Sequence, residues 1–240
     1  MGTLVFVLVA LVISVAFLAL LFIVELVERR LTRPYVMAGP DELELNSYAR
    51  EMAEEIGTAG YTPAGNFVHA KHPNVHGTIW SSPGRECIVL AGSGKLAGMV
   101  SRQTYIFSRL NDGRVMITKD SNDEGDGSGT FITKRVLNVH FPELVKEHYK
   151  RLNESASQIQ LFDGGNTLDA LLGIYDYRTQ RMVEMGLAKF IDASGESWRH
   201  TAKGATHIVR NFFKQMAQAM PQRAQMNQPK VGAGYQPPRG

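Results

Sequence analysis

His69, His72 and His76 stand in the pattern H-x-x-H-x-x-x-H. Three imidazoles on one side of a fold could hold zinc and leave a fourth position open for water. The spacing works against this. On a strand, residues three apart point to opposite faces, so His69 and His72 do not converge. Pro73 and Asn74 then interrupt the strand. Surface histidines are expected, with a metal-dependent enzyme or sensor as the alternative.

A second candidate is Gly92-Ser93-Gly94-Lys95-Leu96-Ala97-Gly98, which follows an apolar run and fits the G-x-G-x-x-G/A spacing of dinucleotide loops. Backbone amides in such a turn hold a pyrophosphate at a helix N-terminus. Residues 99–107 read as strand, so no helix follows to receive a phosphate. A Gly-rich loop between strands is expected. Asp120, Asn122, Glu124 and Asp126, with Gly125, look like the start of a calcium loop. Such a loop needs an apolar residue at position 8 and a bidentate Glu at position 12. Gly127 and Phe131 occupy those places, so a solvated acidic loop is expected. Cys87 is the only cysteine, which excludes an internal disulfide and a structural zinc pattern. Between Glu86 and Ile88 it reads as a small core residue in a strand. Ser, His and Asp are all present, but no G-x-S-x-G elbow frames a nucleophile. No catalytic residue, cofactor site or metal site is therefore assigned, and no cofactor is expected.

The elements that position these residues begin with an anchor. Thr3 to Val24 carries no charge, and Ser14 can bond to the carbonyl one turn back. As a helix, Leu4 to Val27 spans about 36 Å, enough to cross a hydrocarbon layer of ~30 Å. Glu28-Arg29-Arg30-Leu31-Thr32-Arg33 follows, with no small-residue cleavage site. Arg29, Arg30 and Arg33 place everything after the span in the cytosol by the positive-inside rule.

After a linker, Asp41 and Glu44 have capping-box spacing, and Leu45, Tyr48, Ala49, Met52 and Ile56 recur at helical period. Short strand-like runs fill residues 66 to 139, with Asn111-Asp112-Gly113 as a hairpin turn. Strands joined by tight turns imply an antiparallel sheet of about five strands. Pro142 opens a helix to about Leu152, in which Leu144, Val145, Tyr149 and Leu152 face the core; His148 fits no motif. Thr167 caps another helix that ends at Gly186. A hairpin around Ala193-Ser194-Gly195-Glu196 leads to a final helix from Ala202 to Met220. Residues 220–240 are rich in Gln, Pro and Gly and read as a disordered tail.

Met185-Gly186-Leu187, the hairpin, and Trp198-Arg199-His200-Thr201-Ala202-Lys203-Gly204 resemble the wing region of winged-helix domains. The resemblance covers about 50 residues and implies phosphate contacts through Arg178, Arg181, Arg199 and Lys203. Charge distribution adds to this. Seven of the 26 basic residues lie after Glu196, where there is no acid, which leaves 19 against 23 acidic residues before it. An anionic partner is expected at that end, on Arg178, Arg181, Arg199, Lys203, Arg210 and Lys214.

The expected class is α+β: an N-terminal transmembrane helix, then an antiparallel sheet packed with helices, and a C-terminal helix–hairpin–helix subdomain. The divisions are an anchor at 1–27, a linker at 28–40, an α+β domain at 41–160, the subdomain at 161–219 and the tail. The expected function is an interaction or scaffold domain on the cytoplasmic face of the membrane. Its partners are the bilayer through residues 4–27 and an anionic lipid or protein at the basic end. A tethered nucleic-acid binder, and an enzyme or sensor using the 92–98 loop or the histidines, are the alternatives.

Overall fold

The computed structural model describes residues 2–39, 47–96, 99–121, 129–137, 139–162 and 165–211. The first element is α1, Gly2–Val27, whose side chains are apolar on every face and mostly exposed. Within it lies one segment, Val5–Val27, long and apolar enough to cross a membrane. Ser14 Oγ donates to the Ala10 carbonyl at 2.8 Å, so the polar group is satisfied inside the helix.

Two short strands follow, β1 (Arg30–Leu31) and β2 (Tyr35–Ala38), then α2 (Ser47–Thr58). A run of strands comes next: β3 (Thr62–His69), β4 (His72–Ser81), β5 (Ile88–Leu96), β6 (Met99–Leu110), β7 (Val115–Lys119) and β8 (Phe131–Arg135). The remainder is α3 (Phe141–Glu154), β9 (Ile159–Gln160), α4 (Thr167–Glu184), β10 (Ala188–Phe190), β11 (Ser197–His200) and α5, residues 202–211.

The chain is α+β, with one mixed sheet larger than expected. Its order is β2-β3-β4-β5-β6-β7-β8, and β9 adds to the end of β6. Neighbours are antiparallel except β7 and β8, which run parallel. The alternation of β5 explains why its first half, residues 88–91, is apolar without a break. Ile88 and Leu90 enter one core with Phe107, Ile117, Leu171 and Ile174. Val89 and Ala91 enter the other with Ile56, Ile106, Phe141 and Leu144. Thus α2 and α3 cover one face and α4 the other, and a strand buried on both sides shows no polar alternation.

Several local expectations are met. Asp112-Gly113 forms the turn, with Gly113 at φ 81° and the Asp112 carboxylate accepting from Arg114 N–H. Pro142 lies in the first turn of α3. Three expectations need correction. The N-cap of α4 is Asn166, whose side chain accepts from Leu168 N–H, rather than Thr167. Cys87 sits just before β5, not inside it. The Gly92–Gly98 stretch is strand as far as Leu96, not loop. Its glycines serve packing. A Cβ on Gly92 would meet the His76 carbonyl at 2.8 Å, and one on Gly94 would meet the Val75 side chain at 2.5 Å. The opposing Gly77 is tighter, since its Cβ would stand 2.0 Å from the Ala91 carbonyl. Asp41, Glu44, Ala97, Gly98 and residues 122–128 and 212–240 lie outside the described residues.

Gly77→Ala is expected to destabilise the fold by about 3 kcal/mol or more, the upper range for overpacking. Denaturant unfolding of the detergent-solubilised chain reads this. A loss below about 1 kcal/mol would mean that the strands can separate to admit a methyl group.

Candidate functional site

The residues with the strongest chemical potential lie between α3 and the sheet. Ser108 on β6 and Thr118 on β7 point to the helix-covered face, and His148 of α3 descends between them. His148 Nε2 is 3.0 Å from Ser108 Oγ, and its Nδ1 is 2.9 Å from Thr118 Oγ1. Ser108 Oγ donates to the Glu86 carbonyl at 2.7 Å and lies 3.2 Å from Cys87 Sγ. Tyr149 OH donates to Glu86 Oε1 at 3.0 Å. Arg151 closes the group, donating to Thr118 Oγ1 and to the Ile117 and Ile132 carbonyls.

A serine, a histidine and an orienting hydroxyl in line have the form of a nucleophile relay. Burial removes that role: Cys87, Ser108, Thr118 and His148 are each 0% exposed. Burial also pushes the His148 pKa down to about 3, with the nearby Arg151 charge adding to the effect. The ring is therefore neutral. Burial pushes the Cys87 thiol up to about 11, so it carries no thiolate at neutral pH. The network joins α3 to β6 and β7 and satisfies polar groups that burial would otherwise penalise. One signal for it was in the sequence. Leu144, His148 and Leu152 repeat every four residues, which places the imidazole on the core face.

The other candidates resolve separately. His69 and His72 face each other across the Ala70-Lys71 turn with ring centroids 4.9 Å apart, so the hairpin overrides the strand spacing. His76 lies further along β4, opposite Val68. No group of three or more His, Cys, Asp or Glu among the described residues is set to hold a metal ion. Gly92, Ser93 and Gly94 pair with β4 on one side and β6 on the other, so their backbone amides form no phosphate cradle. Asp120 turns inward and accepts from Thr104 N–H and Tyr48 OH; burial raises its pKa.

A second constellation surrounds the end of α1. Only Glu28 and Arg29 separate α1 from β1, and β1 pairs antiparallel with β11, Arg30 opposite Trp198 and Leu31 opposite Ser197. With β10 this makes a three-stranded sheet, order β1-β11-β10. The Arg30 guanidinium donates to Glu25 Oε2 at 2.8 Å, binds Glu28 and lies 5.7 Å from the Trp198 ring centre. Trp198 is buried, and its Nε1 donates to the Leu31 carbonyl at 3.3 Å. His200 Nε2 stands 3.4 Å from Glu25 Oε2. Arg29 donates to Ser197 Oγ, Thr32 Oγ1 to the Gly195 carbonyl, and Arg33 to both oxygens of Asp176 on α4. The hairpin tip, β1 and α4 enclose an open cavity of about 960 Å³, with Arg33, Asp176, Tyr177 and Phe190 on its walls.

Of the six residues expected to meet an anion, the five that are described lie on α4, β11 and α5. Arg178 lies 5.2 Å over the Phe131 ring, and Arg181 pairs with Glu184. Arg199 is on β11, and Lys203 Nζ donates to the Met185 carbonyl at 2.8 Å. Arg210 is exposed on α5, and Lys214 lies outside the described residues. The exposed face of α4 carries Asp169 and Glu184 as well as Arg181, so it is of mixed charge. No family model, curated protein or solved structure matches the chain. The likeness to a winged helix thus rests on its own residues.

His148 gives a pH signature. Its folded pKa lies below the unfolded value, so below about pH 6.5 the unfolded state binds a proton that the folded state refuses. Stability is then lost as pH falls towards the folded value, at up to about 1.4 kcal/mol per pH unit. Unfolding free energies of the chain and of His148→Gln should therefore converge between pH 6 and 4. A pH-independent gap would show that the folded ring takes up its proton as readily as the unfolded one.

Proposed function

We propose that the chain is a single-pass membrane-anchored interaction protein, with its domain on the cytoplasmic face at a fixed distance from the bilayer. The observation that carries this reading is the capture of β1 by β11 directly after α1. A tethered domain normally hangs on a linker and samples a wide volume. Here Glu25, Arg30, Trp198 and His200 bind the end of the apolar helix to the domain, which supports a fixed placement. A scaffold benefits from this, because a fixed orientation presents the same surface to every partner in the membrane plane.

Orientation rests on Arg29, Arg30 and Arg33, which favour the cytosol. In this reading α4, the hairpin and α5 form a juxtamembrane unit rather than a reader of nucleic acid. A suitable contact surface is the outer edge of β2. Its residues are uncharged, Val36 and Met37 are 46% and 47% exposed, and it ends the strand order. An uncharged edge strand favours strand addition by a partner.

Alkaline carbonate washing and trypsin treatment of sealed membranes test the placement. The chain should stay in the pellet, and trypsin should reach the domain only from the cytoplasmic side. Release by carbonate, or digestion from the outside, would overturn the reading. The capture of β1 has its own check. Trp198→Ala should speed cleavage after Arg29 or Arg30 by about a hundredfold or more, since losing a buried Trp costs ~3–5 kcal/mol and cleavage follows the open population.

A further inference from the structure

The register of the three-stranded sheet determines where the last helix starts. β1 leads away from α1, so its antiparallel partner β11 returns towards it. Beyond the pair Arg30–Trp198, Arg199 and His200 carry the chain about 7 Å further back, at ~3.3 Å per residue. The contact between His200 and Glu25 fixes that endpoint beside the last turns of α1. Thr201 Oγ1 then donates to the Gly186 carbonyl, and α5 begins. Its start is pressed against the loop that follows α4, since a Cβ on Gly204 would stand 1.9 Å from the Leu187 carbonyl.

Two burial patterns fit together at this point. Along α1, Leu18, Leu21, Phe22, Glu25 and Leu26 are half-buried, while Leu20, Ile23, Val24 and Val27 between them are exposed. The spacing marks one helix face with a neighbour. On α5, Gly204 and Ala205 are buried and His207, Ile208 and Val209 half-buried, while Lys203, Thr206 and Arg210 are exposed. A 26-residue helix is about 39 Å long, against ~30 Å of hydrocarbon, which leaves a surplus of about 9 Å. That surplus accommodates the first turns of α5 in the headgroup layer.

We propose that α5 docks along the end of α1 at the bilayer surface, with Arg210 and the two N–H donors that Lys203 keeps beside its bond to the Met185 carbonyl directed to anionic lipid headgroups. The inference rests on α1 spanning the membrane. Charge selects the partner: α5 exposes two basic residues and no acid, with the Arg210 stem long enough to bring its guanidinium up to the phosphates. Each such residue favours docking on an anionic surface about fivefold.

The test uses the full chain in lipid nanodiscs, with a fluorophore on Thr206→Cys or Val12→Cys; buried Cys87 does not label. Nitroxides are carried on the headgroup or at mid-acyl chain, in phosphatidylcholine with or without phosphatidylserine. The Val12 label should be quenched best by the mid-chain nitroxide. The Thr206 label should be quenched best from the headgroup, and more so with phosphatidylserine. Lys203→Ser with Arg210→Ser should lower the docked-to-free ratio in phosphatidylserine discs by up to about thirtyfold. An unquenched Thr206 label, with Val12 still quenched, overturns the docking and leaves the span intact. Quenching at Thr206 that ignores both phosphatidylserine and the double substitution overturns the lipid as partner. A Val12 label that no lipid nitroxide quenches removes the span itself, and the inference with it.

Discussion

A short backbone ladder, Arg30 with Trp198 and Leu31 with Ser197, organises one end of this molecule. A chain leaving an apolar helix must find partners for its amides and carbonyls at once. Here the hairpin supplies them two residues after the helix ends. The side chains follow from that pairing. Trp198 is brought beneath Arg30, Arg30 is held at Glu25, and His200 closes on the same carboxylate. Arg33 reaches α4 through Asp176. An exposed pair of this kind contributes at most ~1 kcal/mol, so the buried Trp198 and the ladder carry the attachment.

The large sheet sets a different constraint. Covering both faces buries most of β5, β6 and β7, and every polar side chain in them then needs a partner. Ser108, Thr118 and His148 provide partners for one another, and Arg151 ties the group to the carbonyls of β7 and β8. The same closure removes reactivity. A thiol and an imidazole that would be nucleophile and base in an open cleft become a neutral hydrogen-bonding unit. Groups that form a reactive arrangement in one solvent environment act as structural groups in another.

The distribution of positive charge also changes once the chain folds. Arg29, Arg30, Arg33, Arg178 and Arg181 are each engaged with a carboxylate, a hydroxyl or an aromatic ring. Lys203 and Arg210 keep an outward face on α5. Among the described residues of the basic end, these two therefore form a small outward-facing cationic patch rather than part of a broad cationic surface.

Local pattern was enough to place much of this. Uniform apolarity marks α1, helical spacing marks α3 and α4, and Asp112-Gly113 marks its turn, because each depends on neighbours within a few residues. His148 was missed, although Leu144 and Leu152 share its helix face. The tertiary structure decided the remainder. It made Gly92-Ser93-Gly94 a strand by pairing it with β4 on one side and β6 on the other, close enough that a Cβ on Gly77 has no room. It brought His69 to His72 through a turn that spacing alone assigns to opposite faces. It joined Arg29 to Ser197, 168 positions apart, and so attached the domain to the end of the apolar helix. Periodicity reports which way a side chain points from its own element. It holds no information about which distant backbone will lie against it, and that pairing determines whether polar residues form a site, a core or a clamp.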